Sequence, residues 1–423
     1  MTKIVLATFG SLGDLHPMLA IGKELKERGH DVSVAAMETY RDRIEPLGLG
    51  FSRMAPHVDP DDRELVREMM HERRGSEKII RELILGNIRP MYDDLMRAIE
   101  GADILVTGEV VYAVKSVVEK TGIKWISTGL QPGVFFSAYD PVVPPVAQFF
   151  KHLRFLGPRF YTGFFKVMRW HIRDWLEPYR EFRRELGLDE NHDPIVDGKY
   201  SPLVHLALFS RVLGAAQPDW PPNVVQPGFC FYDGADDLQK TPQALNDFLE
   251  AGEPPIVFTL GSAAVMDPGN FFEESIKAAT ILKRRAVLLY GVFNEPPAEL
   301  TDNIVGFDYA PFSQLFPRAA CVVHQGGVGT TGQVLRAGVP HLIMPYAHDQ
   351  PDNAARCVRL GVAEEISRSS YTAESAARKL SKIFSKDSYA ENAARCGEMV
   401  RSEGGTSAAC DEIESRLNGS RRP

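Results

Sequence analysis

The segment Ile256-Val-Phe-Thr-Leu-Gly-Ser262 repeats the plan of Ile4-Val-Leu-Ala-Thr-Phe-Gly-Ser11, an apolar strand that ends in Gly-Ser. An α/β chain that starts over in this way is built from two units, and 423 residues are too many for one ordinary core. The first unit alternates a strand at Lys3–Phe9, a helix at Pro17–Arg28 and a strand at Asp31–Met37. Helical patterning from Arg63 to Glu100 then leads into apolar runs at Ile104–Thr107 and Lys124–Gly129. The second unit runs Ala286–Tyr290, Cys321–His324, His341–Met344 and Ala363–Ile366. Such alternation predicts mostly parallel sheets with helices on both faces, hence two Rossmann-like, doubly wound α/β domains facing across a cleft. The passage Ala215–Gly228, rich in proline, reads as the linker between them. The expected division is 1–225, 226–400 and a C-terminal helix and tail, 401–423, packing back on the first domain.

In sheets of this kind ligands sit beyond the carboxyl ends of the strands, where the polar motifs of this chain fall. His324-Gln-Gly-Gly-Val-Gly-Thr-Thr331 follows the buried run Cys321–Val323 and opens a helix. Gly326, Gly327 and Gly329 clear space, Thr330 and Thr331 add hydroxyls, and the free N–H groups of a helix start suit a phosphate. A core role satisfied by backbone is the alternative for His324. No GxxxxGK[ST] loop is present. Asp349-Gln350, before a helix running from Pro351 to Arg359, needs only its aspartate for a cap; the added amide suits neighbouring sugar hydroxyls. Phosphate at one end and hydroxyls at the other describe a nucleotide sugar. Gly261-Ser262 offers an N–H and a hydroxyl to the same diphosphate.

After the first strand, Phe9-Gly-Ser-Leu-Gly-Asp-Leu-His-Pro17 lacks the third glycine of a dinucleotide fingerprint, because Leu15 stands there. What remains is Asp14, either an N-cap or a base, and His16, either a neighbour, a surface residue or a base. From Gln131 to Arg184 aromatics alternate with basic residues, which predicts a pair of amphipathic helices. Phe135, Phe136, Phe149 and Phe150 are the candidates for a greasy acceptor pocket, possible contact with a membrane surface included.

The net charge of −8 argues against general affinity for nucleic acid or anionic membrane. Cys230, Cys321, Cys357, Cys396 and Cys410 show no CxxC spacing, which suits a reducing cytosol and predicts neither a zinc site nor a disulfide frame. No signal peptide precedes the first strand, and the stretch Trp125–Phe150 is broken by four prolines, so a cytoplasmic protein without a transmembrane segment is expected.

These motifs together resemble the GT-B glycosyltransferases that use UDP- or dTDP-sugars, the family with plant, macrolide and glycopeptide members. The resemblance covers nearly the whole chain and is strongest at GSxGDxxP, Tyr309-Ala-Pro-Phe-Ser313, HxGGxGTT and DQPxN. In texture the chain is closest to bacterial rhamnolipid-forming rhamnosyltransferases and sterol-glucosyltransferase-like enzymes. The resemblance implies that Tyr309 and Ala310 border the nucleobase. It places Ser262, His324, Gly326, Gly327, Gly329 and Thr330 at the diphosphate, and Asp349 and Gln350 at the sugar. It puts Asp14 where many relatives carry a catalytic histidine, and Gly332 where many UDP-sugar enzymes carry a ribose-binding glutamate. It further implies an inverting, metal-independent hexosyltransferase with no cofactor beyond the sugar nucleotide and with an apolar alcohol, phenol or lipid as acceptor. A hydrolysing sugar-nucleotide epimerase and a non-catalytic helper subunit are the other readings of the same fold.

Overall fold

The computed structural model describes residues 2–58, 62–234 and 241–418. Its first sheet consists of β1 (Lys3–Ala7), β2 (Asp31–Ala36), β3 (Gly50–Arg53), β4 (Ile104–Thr107), β5 (Lys124–Gly129), β6 (His205–Ala207) and β7 (Val224–Val225). Their order is β3-β2-β1-β4-β5-β6-β7, with every pair parallel. The second sheet consists of β8 (Ile256–Thr259), β9 (Ala286–Leu289), β10 (Ile304–Phe307), β11 (Cys321–His324), β12 (His341–Ile343) and β13 (Ala363–Glu365). It runs β10-β9-β8-β11-β12-β13, again all parallel. The strand order reverses between β1 and β4 in one sheet and between β8 and β11 in the other. At such a switch point the two following loops part in opposite directions and leave a crevice.

The central strands are fully buried on both faces, which is why they read as continuous apolar runs. Four strands at or near the edges were not legible as such. Gly50–Arg53, His205–Ala207, Val224–Val225 and Ile304–Phe307 are short, or carry glycine and polar residues.

Three further expectations are corrected. The first helix spans Leu12–Glu27, not Pro17–Arg28, because Ser11 caps it and Asp14, at the third helical position, closes a capping box. Pro17 therefore lies inside the helix. The segment after Gln131 begins with 3-10 turns at Pro132–Phe135, Pro145–His152 and Arg154–Leu156, where prolines remove the donors of a longer helix. Only then do the α-helices Gly157–Ile172 and Glu177–Glu185 form. The passage Ala215–Gly228 is no free linker, since it carries β7 and buries Trp220 against Phe135.

The C-terminal helix Gly405–Asn418 returns to the first domain, where Ala409, Cys410 and Ile413 join the core beside Ile21 and Leu25. Arg28 fastens the contact with hydrogen bonds to Asp411 (2.6 Å) and Glu414 (2.7 Å). All five cysteines are free thiols in the interior.

Candidate active site

The turn after β11 is held by side chains that the sequence presents as ligand groups. His324 is fully buried, and its Nδ1 accepts from the Gly326 N–H at 3.1 Å. Burial pushes the ring down to about 3, so it is neutral, and its Nε2–H faces His341 Nδ1 at 3.1 Å. His324 therefore supports the turn from behind and does not present its ring to the cleft. The turn itself needs glycine: Gly326 has φ +91°, and a Cβ there would lie 2.8 Å from Ile343 Cγ2. The carbonyl of Gly326 accepts from Asn353 Nδ2 at 2.9 Å.

The helix Val328–Ala337 starts immediately beyond this turn. Its first N–H groups have no partner within the helix, and one of them, that of Val328, donates to Asp349 Oδ2 at 3.0 Å. Asn353 Nδ2 donates to the same oxygen at 2.6 Å. Asp349 thus caps the glycine-turn helix rather than its own, Gln350–Arg359, in which it makes no side-chain cap. Gln350 is buried, with its Oε1 accepting from Tyr346 N (2.8 Å) and Ala347 N (3.3 Å). Its oxygen fixes the loop before the helix. Gly261, at the end of β8, lies against the amide of Gln325 and the Thr330 hydroxyl, and Ser262 beside it is exposed.

Opposite this wall stands the loop after β1. A Cβ on Gly329 would sit 3.7 Å from Gly13 Cα, so the two domains meet at the helix start. Asp14 is held in one orientation: its Oδ2 accepts from Ser11 N at 2.8 Å and Ser11 Oγ at 3.3 Å. Gly10 leaves room for that carboxylate, since a Cβ would be 2.2 Å from Oδ2. Burial raises the Asp14 carboxyl to about 7 against the Ser11 hydrogen bonds, with the charge of Glu109 adding to the rise. Burial likewise raises Asp349 to about 7, with Asp14 contributing. His16 is pushed down to about 4 by burial and Arg43, and its ring rests 5.3 Å from that of Tyr232.

Two residues of this site were not anticipated. Glu109 follows β4, the strand beside β1, and its carboxyl is raised by burial and by Asp349 while Lys199 pulls it down. Lys199 is buried with its Nζ 3.9 Å from Glu109. A charge two residues past a fully buried central strand is a legible signal for Glu109; Lys199 carries none.

Of the two residues expected to border a nucleobase, Ala310 is fully buried and Tyr309 exposed, just past the end of edge strand β10. Three strand spacings, roughly 14 Å, separate β10 from β11. The Phe229 ring explains Gly332: a Cβ there would be 3.0 Å from Phe229 Cε1, so the ring fills the place of a side chain.

The four acceptor candidates do not share one pocket. Phe135 is a core residue, stacked on Trp220 at 3.8 Å and packed edge-on to His205. Phe149 is exposed, and Phe150 packs on Phe164 at 4.5 Å. Phe136 alone approaches the cleft, 5.0 Å from Lys199 Nζ.

Two parallel Rossmann-like sheets whose loops oppose a carboxylate to a glycine-rich helix start are the architecture of a GT-B glycosyltransferase. Residues 4–117 match the glycosyltransferase family 28 N-terminal domain. Residues 293–415 match the C-terminal domain described as erythromycin biosynthesis protein CIII-like. O-mycaminosyltylonolide 6-deoxyallosyltransferase of Streptomyces fradiae is 31% identical over 434 residues, covering 97% of each chain. The chain belongs to this family of nucleotide-sugar-dependent GT-B glycosyltransferases. Sterol 3-beta-glucosyltransferase of Candida albicans (strain SC5314) is 27% identical over 436 residues, which are 99% of this chain but 28% of that protein. Among solved structures, the glycotransferase of kitacinnamycin superposes with a TM-score of 0.75 at 22% identity, over 98% of this chain and 99% of that one. The spinosyn rhamnosyltransferase SpnG complexed with thymidine diphosphate gives 0.68 at 16%, over 98% and 100%. Both share the fold. Among the described residues no helix is long and apolar enough to cross a membrane.

Proposed function

We propose that this chain transfers a hexose, with inversion and without a metal, from a dTDP- or UDP-sugar to the hydroxyl of an apolar small molecule or lipid. The observation that carries the reading is Asp14, fixed by Ser11 and raised to about 7, standing across the cleft from the start of the helix Val328–Ala337. A carboxyl near neutrality is a usable base toward an alcohol, whereas one at the ordinary ~3.9 is a poor one. The acceptor oxygen attacks the anomeric carbon as the bond to the diphosphate breaks, and its proton passes to Asp14. The charge left on the diphosphate falls at the N–H groups of Gly327, Gly329 and Thr330 and the positive end of the helix. Asp349 and Gln350 border the sugar, with Tyr309 and Ala310 at the base and Ser262 at the diphosphate. His324 acts on the donor through the turn it holds.

The sterol glucosyltransferases name a sterol as acceptor and the Streptomyces fradiae relative names O-mycaminosyltylonolide, and the sterol in particular supports an apolar acceptor here. The ring of Phe229 against Gly332 leaves no acidic side chain at that position for a ribose, which supports dTDP beside UDP as donor base.

The test is incubation with UDP- and dTDP-hexoses, with and without a sterol, macrolide or phenolic alcohol, in the presence of EDTA. Diphosphate release that requires acceptor is expected. Release without any acceptor supports the epimerase reading and removes this one.

A further inference from the structure

Between Pro145 and Arg173 the chain carries six Lys or Arg and no Asp or Glu, within a protein of net charge −8. Three of these cations turn inward. Lys151 pairs with Glu365 (2.8 Å), Arg154 with Asp140 (2.6 Å) and Arg169 with Asp193 (2.9 Å). The other three, Arg159, Lys166 and Arg173, recur every seven residues and so form one row along the exposed side of the helix Gly157–Ile172. Among the described residues Arg159 and Lys166 pair with no acid, while Arg173 meets only its exposed neighbour Asp174 at 3.4 Å.

Beside this row lies an apolar one. Leu156, Phe160, Gly163, Val167 and Trp170 follow at spacings of four, three, four and three, the pattern of a single helix face. That face is turned outward: Val167 is 64% exposed, Trp170 61% and Phe160 41%, with Phe155 of the preceding turn at 80%. An amphipathic helix in a globular protein buries its apolar face; this one leaves it uncovered with cations alongside.

We propose that this face docks the protein on an anionic lipid surface, with the helix lying in the plane of the headgroups. Apolar tips reaching into the acyl boundary beside Lys and Arg are the anatomy of an interfacial helix. Trp170, with Arg173 5.0 Å over its ring, has the amphipathic character of a headgroup-level anchor. A second copy is a poor occupant, because a two-fold contact sets a row of like charges against itself. The face is also continuous with the cleft. Ring contacts run from Phe149 through Phe150, Phe164 and Phe165 to Phe136, and Lys199 links Phe136 to Glu109. On the transfer reading above, this path delivers an apolar acceptor from the bilayer; the docking itself does not depend on that reading.

The test is co-sedimentation of the full chain with phosphatidylcholine vesicles, with and without phosphatidylglycerol, and without any sugar nucleotide. Binding only to the anionic vesicles, weakened by salt, is expected, together with quenching of Trp170 by brominated lipid. Arg159→Gln with Lys166→Gln should weaken partitioning by roughly tenfold or more. Phe160→Ser with Val167→Ser and Trp170→Ser should weaken it as well, with the circular dichroism of the wild type. Failure of the wild type to bind anionic vesicles overturns the proposal, whether sedimentation velocity then finds a monomer or a dimer that the serine variant dissolves. Equal binding by the wild type and both variants overturns it too.

Discussion

Asp14 combines a hydrogen-bonded pose with a carboxyl that burial raises to about 7, and each has its own consequence. As a base it works only when ionised, so transfer rises with pH through about 7 and levels above it. Because Glu109, Asp14 and Asp349 influence one another, that limb belongs to the cluster rather than to one residue. A bound diphosphate adds negative charge beside them, so the limb in kcat should lie at higher pH than the limb in kcat/KM. A kcat limb at lower pH would remove Asp14 as base. The stability consequence has the opposite sign to activity. A carboxyl raised on folding holds its proton in the native state while the unfolded chain releases it, so stability is lost as pH rises from the ordinary carboxylate value toward 7. Asp14→Asn keeps the acceptor oxygen for Ser11 and removes the buried charge. At pH 8 it should lose about a hundredfold or more in transfer while its melting temperature stays level or rises. A fall in both would mean that the residue is structural.

At the scale of elements, the turn after β11 depends on a residue from another helix. Asn353, fully buried on the helix Gln350–Arg359, joins Gly326 O to Asp349 Oδ2 and so sets the glycine turn and the carboxylate together. Asn353→Ala strands the Gly326 carbonyl and leaves Asp349 Oδ2 with the Val328 N–H alone, which should cost about 1–3 kcal/mol in urea unfolding. It should also raise KM for the donor more than it lowers kcat; an unchanged donor KM would detach the turn from donor binding. The apolar runs, the glycine turn and Asp349-Gln350 were readable because their chemistry is local. Asp349 reaching Val328 was not, since 21 residues separate them and only the β11–β12 crossover brings them close. The same holds for Glu109 with Lys199, and for Phe135, whose aromatic character is the same in a core as in a pocket. The helix start misread at Pro17 has a nearer cause: proline suits a first turn, but Ser11 with Asp14 caps five residues earlier.

Over the whole molecule the two domains are tied by buried charge, and the tie uses the same helix. Arg356 is buried, pairs with Asp352 at 2.7 Å within the helix and with Asp140 from the first domain, and donates to Leu213 O at 3.3 Å. Asp352, also buried, accepts from Val143 N at 3.0 Å, so the segment 140–143 is clamped to the helix that opens at Gln350. Burial opposes ionisation of Asp140, but Arg356 and Arg154 outweigh it and hold its carboxyl below the ordinary range. The tie is therefore present above the ordinary carboxylate pKa and is lost as pH falls below it. Removing the cation takes the counter-charge from the buried Asp352 and leaves Asp140 to Arg154, which is the costly way to break such a group. Arg356→Ala should lose about 3–5 kcal/mol of stability at pH 7. In that variant burial acts on Asp140 against Arg154 without Arg356, so Asp140 takes up its proton at higher pH than in the wild type. The gap between variant and wild type should then narrow on acidification, as Asp140 is neutralised in the one and the tie weakens in the other. Chemical unfolding of both proteins from pH 7 down to pH 4 checks this, and a gap that stays constant across the range would show that Arg356 acts by packing rather than by charge.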